Sequence, residues 1–181
     1  MNLFRAALIM DLIRMGEAAL KNHDLLHPLI VHFPIALLSV LPVLIVLGLF
    51  SKNSSKAFYF SALILMVIGT VTAYLAYSSG RAAGELVDRT PEISAVLARH
   101  KEFAKYTRFF FTVLTATFAV QLFVFPRISK KWIVGSSLFS LQVVVFLAVY
   151  MVAVLLVMNT AHQGGMLVHQ YGVHAVLPAS F

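Results

Sequence analysis

The chain has 181 residues, enough for one ordinary domain, and is 60% hydrophobic and 12% charged, whereas a soluble domain carries about 25% charged residues. A soluble fold of this size has no place for so much apolar surface; a lipid bilayer does. The net charge of +7 does not point to nucleic acid, because the basic residues fall between long apolar runs, where anionic headgroups meet them, and no stripe of Lys and Arg with interleaved aromatics lies on a polar helix.

Residues 1–24 read as an N-terminal amphipathic segment. Its apolar stretch Ala6–Met10 is too short for a signal peptide, and Asp11 and Arg14 break the apolar pattern directly after it. A helix in the membrane interface fits this pattern, and so does a helix packed on a bundle.

Four apolar runs come next. A membrane helix needs about 20 mostly apolar residues to cross roughly 30 Å of hydrocarbon, and Pro28–Phe50, Ala57–Tyr77, Tyr106–Phe125 and Trp132–Met158 all qualify, the last extending toward Val168. The polar stretches SKNSSK and PRISKKW make clear breaks, and a longer one, residues 78–103, separates the second run from the third. Within it, Thr90, Pro91 and Glu92 mark a helix start: Thr caps, Pro suits the first turn, and Glu complements the positive end of the dipole. The reading is an all-α, integral membrane four-helix bundle over residues 25–175, with a C-terminal tail at 176–181.

Orientation derives from Lys and Arg in short loops. Lys52, Lys56, Arg127, Lys130 and Lys131 stand in the two short loops without an acid, and all seven acids lie on the other side. This places the short loops in the cytoplasm of a bacterium with both termini periplasmic, the protein being multi-pass in the inner membrane.

Gly69, Ala73, Ala76 and Gly80 share one face of the second run. Such a face lets helix backbones approach closely in lipid, or leaves room for a flat cofactor. Pro34 and Pro42 loosen the first run, and the carbonyls they free must find partners inside the protein. Phe109, Phe110 and Phe111 read as lipid-facing or core aromatics.

The chemical signal is histidine. His23, His27, His32, His100, His162, His169 and His174 all fall on or just inside the side assigned to the periplasm. His32 lies about one turn inside the first run, where an ionisable group is costly unless paired or ligated. His162 and His169 flank Gly164 and Gly165, and on one helix they are about 10.5 Å apart along the axis and nearly on the same face. Matching depths on antiparallel first and fourth spans pairs His32 with His162 in an inner layer and His27 with His169 in an outer one, with His100 arriving from the head of the third span. Four-helix bundles build cofactor sites in this way, from facing helices.

Haem b needs axial histidines on opposite faces of a porphyrin and no cysteine attachment, and this chain has no cysteine. Gly164 and Gly165 beside His162 make room for a ring, and Arg81, Arg99, Lys101, Lys105 and Arg108 sit at a level suited to propionates or to lipid phosphates. Neutral imidazoles suit copper and zinc as well. Three readings stay open: a b-type haem electron-transfer protein linking the quinone pool to an external partner, a copper- or zinc-handling protein, and a cofactor-free scaffold subunit of a larger membrane complex or homo-oligomer. Hydrolytic chemistry is unsupported. HDLLH places Asp24 where a zinc protease of the HExxH type needs Glu, and no carboxylate lies inside a span to mark an ion path.

LHPLIVHFPIALL, from Leu26 to Leu38, resembles the His-Pro-x-x-Val-His-Phe-Pro opening of a bacterial membrane-protein family catalogued as domain of unknown function 2231. GTVTAYLAYSSG looks like its second signature, His100 like another, and AHQGGMLVHQYGV, from Ala161 to Val173, is similar to its closing Gly-Gly-x-Leu-Val motif. The resemblance covers roughly residues 25–175 and implies four spans. Members that resemble this chain are sometimes joined to c-type cytochrome modules, which implies redox work. By position it falls on His27, His32, His100, Gly164 and Gly165, and more loosely on His162 and His169.

Overall fold

The structure is a computed structural model and describes residues 4–7, 9–11, 13–14, 23–51, 53–128, 134 and 136–173. His174, Lys52, Lys130, Lys131, Trp132, the tail at 176–181 and the side chain of His23 lie outside the described residues. Described residues of the N-terminal segment are helical, and Phe4, Ile9, Met10 and Ile13 are exposed.

Beyond that segment the described residues form five helices in chain order: α1 (His23–Phe50), α2 (Ser55–Ala83), α3 (Pro91–Phe123), a single turn α4 (Phe125–Ile128) and α5 (Ser137–His169). Among the described residues there is no strand. The four long helices are each long and apolar enough to cross a membrane. At the long-loop end each helix overruns the apolar run that announced it, since helix keeps the backbone hydrogen-bonded internally, whereas at the short-loop end α3 stops at Phe123 and α5 starts only at Ser137.

The capping signals hold. The Thr90 side chain accepts from the amide of Ile93 at 3.3 Å, with Pro91 in the first turn of α3 and Glu92 beside it. Ser136 does the same for α5, accepting from the amide of Phe139 at 3.2 Å. In α1 the helix continues through Pro28, Pro34 and Pro42. Pro42 has no N–H to give the carbonyl of Leu38, one turn earlier. The buried hydroxyl of Tyr150 on α5 donates to that carbonyl instead, at 2.8 Å. This is the internal partner that a proline in a membrane helix requires.

Packing is most extensive between α1 and α2, then between α3 and α5; the α2–α3 and α1–α5 seams are thinner. The bundle is thus two close helix pairs laid against each other. The small face of α2 makes the first pair close: a side chain at Gly69 would meet Leu38 at 2.7 Å. Toward the short-loop end, aromatic side chains fill the space between the pairs. Tyr59, Phe111, Phe118, Phe139, Phe146 and Tyr150 are all buried. Phe118 stacks on Phe146 with centroids 4.9 Å apart, and Phe111 meets Tyr150 edge-on at 5.3 Å. Phe109 and Phe110 face outward while Phe111 is in the core.

Candidate functional site

Toward the long-loop end, no Phe, Leu or Met among the described residues lines the space between the pairs. What remains is a cavity of about 340 Å³ lined by all four long helices, within the range of roughly 300–1,000 Å³ typical of small-ligand sites. Its walls are small or apolar where the helices approach: Ala73, Ala76 and Gly80 on α2, Ala104 on α3, and Ala161, Gly164 and Gly165 on α5. The same small face that seats α1 in mid-bundle also forms a wall of the cavity.

Two histidines face each other here. His27 of α1 and His100 of α3 have ring centroids 6.3 Å apart with their planes at 82°. Each is tied to the partner helix of its own pair. Nδ1 of His27 lies 3.0 Å from the carbonyl of Ala76 and 3.2 Å from the hydroxyl of Ser79, both on α2. Nδ1 of His100 lies 3.0 Å from the carbonyl of Thr160 on α5. A carbonyl only accepts, so Nδ1 of each ring carries a proton. This is the arrangement in which a second hydrogen bond orients a metal-binding imidazole. Glycines make room for the rings: a Cβ at Gly80 would lie 2.6 Å from Cε1 of His27, and one at Gly164 3.2 Å from Cε1 of His100. Nothing lies within 4 Å of the corresponding position at Gly165. A hydrogen bond of 3.0 Å between Thr107 and Thr160 closes the floor between α3 and α5.

The remaining expected site residues divide. His32 and His169 line the cavity but are exposed, at the α1–α5 side. Nδ1 of His32 is 2.6 Å from the carbonyl of Pro28, on its own helix. Arg81, Lys101 and Arg108 line the opposite, α2–α3 side. Arg99 and Lys105 are exposed and outside the lining. His162 is also outside it, on a separate surface depression with Gly165, Met166, His169 and Gln170.

The expected inner pair, His32 with His162, is therefore not the pair whose rings meet. Thr160 and Gly164 face the cavity, and His162 sits two residues from each, about 200° around the helix. Pairing by depth fails here because depth does not say which way a side chain points. His100 also sits deeper than a loop residue would: α3 begins at Pro91, so by His100 the helix has descended about 13 Å, to the level of Thr160. Thr160 and Tyr77 carry no signal of their own in the sequence. The one available clue is Ser79-Gly80 at the outer end of the small face, level with His27.

Among the described residues no group of three or more His, Cys, Asp or Glu is placed to hold a metal ion. Searches of curated proteins and of solved structures return no match. A family model described as predicted membrane protein (DUF2231) matches residues 23–177, a span that takes in α1 through α5, both cavity histidines and the glycines beside them. The chain belongs to that family of predicted membrane proteins.

Proposed function

We propose that this protein is a b-type haem electron-transfer protein, in which His27 and His100 would hold the haem iron. The separation of the two rings carries the reading. Imidazole nitrogens bind metal at about 2.0 Å, so two rings this close could both reach one metal centre placed between them. The two centroids are 6.3 Å apart. The rings come from different helix pairs, each held by a carbonyl of its own pair, so the space between them is a slot that a flat macrocycle suits. Zinc and copper sites take three or four protein donors, and a two-imidazole centre suits haem better. Bound there, haem would supply reversible one-electron chemistry; the protein's part is to present two neutral imidazoles and exclude water with an apolar wall.

The basic short loops favour a slot in the outer half of the inner membrane, with both termini periplasmic. The electron partners in this reading are a quinone from the bilayer and a periplasmic c-type cytochrome, in keeping with the cytochrome modules joined to similar chains.

The test is an absorbance spectrum of the full chain purified from haem-replete bacterial membranes, oxidised and then reduced. A sharp Soret band that shifts on reduction is expected. It should disappear in His27→Ala and His100→Ala with helical circular dichroism intact, and persist in His162→Ala. A colourless preparation overturns the reading. Stoichiometric copper or zinc in that preparation would favour metal handling instead, and firm co-purification of neighbouring proteins without any cofactor would favour a scaffold.

A further inference from the structure

The cavity has an unequal charge distribution that the histidines do not explain. Arg81, Lys101 and Arg108 line it on the α2–α3 side, and no acid among the described residues lines it. Arg108 is the informative one. It stands at the outer edge of the membrane-spanning run of α3, two residues past Tyr106, and is only partly exposed. Side chains lean toward the N-terminus of their helix, so this guanidinium rises toward the cavity. There its centre lies 3.7 Å above the Tyr77 ring and 4.9 Å from that of Tyr74. Tyr74 is held in turn by a hydrogen bond of 3.0 Å to Thr112. The two tyrosine faces fix the guanidinium plane and leave its edge for hydrogen bonds, and its buried Nε has no hydrogen-bond partner among the described residues. A guanidinium held in place with a donor unused, in a cavity whose described lining has no acid, is complementary to an oxyanion supplied from outside the chain.

We infer that the α2–α3 seam is a carboxylate station, where Arg108, assisted by Arg81 and Lys101, holds the acid groups of the amphiphilic ligand that fills the cavity. The apolar remainder of the ligand lies between the helix pairs. This deepens the haem reading, on which the identity of the ligand rests: Arg108, Arg81 and Lys101 would hold the macrocycle's propionates.

The test compares haem b with its dimethyl ester, in which both carboxylates are masked. The purified full chain and its Arg108→Gln variant are each titrated with both and followed at the Soret band. Arg108→Gln should weaken haem b binding at least about tenfold, the scale of a lost hydrogen bond to a charged group. It should leave the ester's affinity and the reduced spectrum of bound haem unchanged, which shows that fold and axial ligation survive. Equal haem b affinity in the two proteins overturns the inference while leaving haem binding intact. If the wild type takes up neither porphyrin, the haem reading falls, and a spin-labelled long-chain fatty acid decides the rest. Binding that depends on Arg108 keeps the carboxylate station, and binding indifferent to it removes the station too.

Discussion

The two halves of this bundle solve the same packing problem in opposite ways. Toward the short loops, buried aromatic side chains close the gap between the α1–α2 and α3–α5 pairs, with Tyr59 of α2 meeting Phe118 of α3 and Phe139 of α5 across it. Toward the long loop the gap stays open, walled in part by alanine and glycine, with the His27 and His100 rings facing each other. Without water to drive helices together, association in a membrane rests on contact and hydrogen bonding. The filled half therefore supplies the contact that lets the other half remain hollow. The upper half depends instead on hydrogen bonds between helices: His27 to Ala76, His100 to Thr160, and Thr107 to Thr160.

The largest expected effect separates the halves by stability. Phe118→Ala removes a fully buried ring from the filled half and should destabilise the protein by about 3–5 kcal/mol, read as a fall in unfolding midpoint in detergent. The cavity should survive in whatever fraction remains folded. A Phe118→Ala protein as stable as the wild type would mean that the aromatic half is not what holds the pairs together.

A smaller, opposite effect is expected at the glycines. Gly80→Ala places a methyl group 2.6 Å from Cε1 of His27, and the ring must leave its position beside the Ala76 carbonyl. Pigment should fall sharply with little change in thermal stability. Gly164→Ala brings its methyl only to 3.2 Å of His100 and should cost less pigment. If both variants load like the wild type, the two rings are not the ligands.

The mildest prediction concerns the joint between the halves. Tyr150→Phe removes the hydroxyl that satisfies the Leu38 carbonyl, leaving the acceptor freed by Pro42 without its partner, at about 1 kcal/mol. Tyr150→Phe should lower the unfolding midpoint slightly and leave any Soret band unmoved. No change in the midpoint would mean that the proline in α1 is accommodated in another way.

How much of this is legible in the sequence depends on the kind of information. The helices are visible as apolar runs bounded by basic loops, and the start of α3 as Thr90, Pro91 and Glu92, because caps act within a few residues of the backbone they satisfy. The need for a partner at the Leu38 carbonyl is implied by Pro42 alone. That Tyr150 supplies it is not, since the two residues are 112 apart in the chain. The collection of histidines at one end of the bundle is equally plain, while their pairing is not.

What the chain order of residues determined by itself is therefore local and additive: apolar length, helix punctuation, the small face of α2, and the end of the bundle at which imidazoles gather. Only the tertiary structure decided that His27 meets His100, that His162 turns away, and that Arg108 comes to rest on Tyr77. Those outcomes depend on the rotation of each helix about its axis. Rotation is set by the sum of contacts along whole helix pairs, and a shift of two residues in register swings a side chain about 200°.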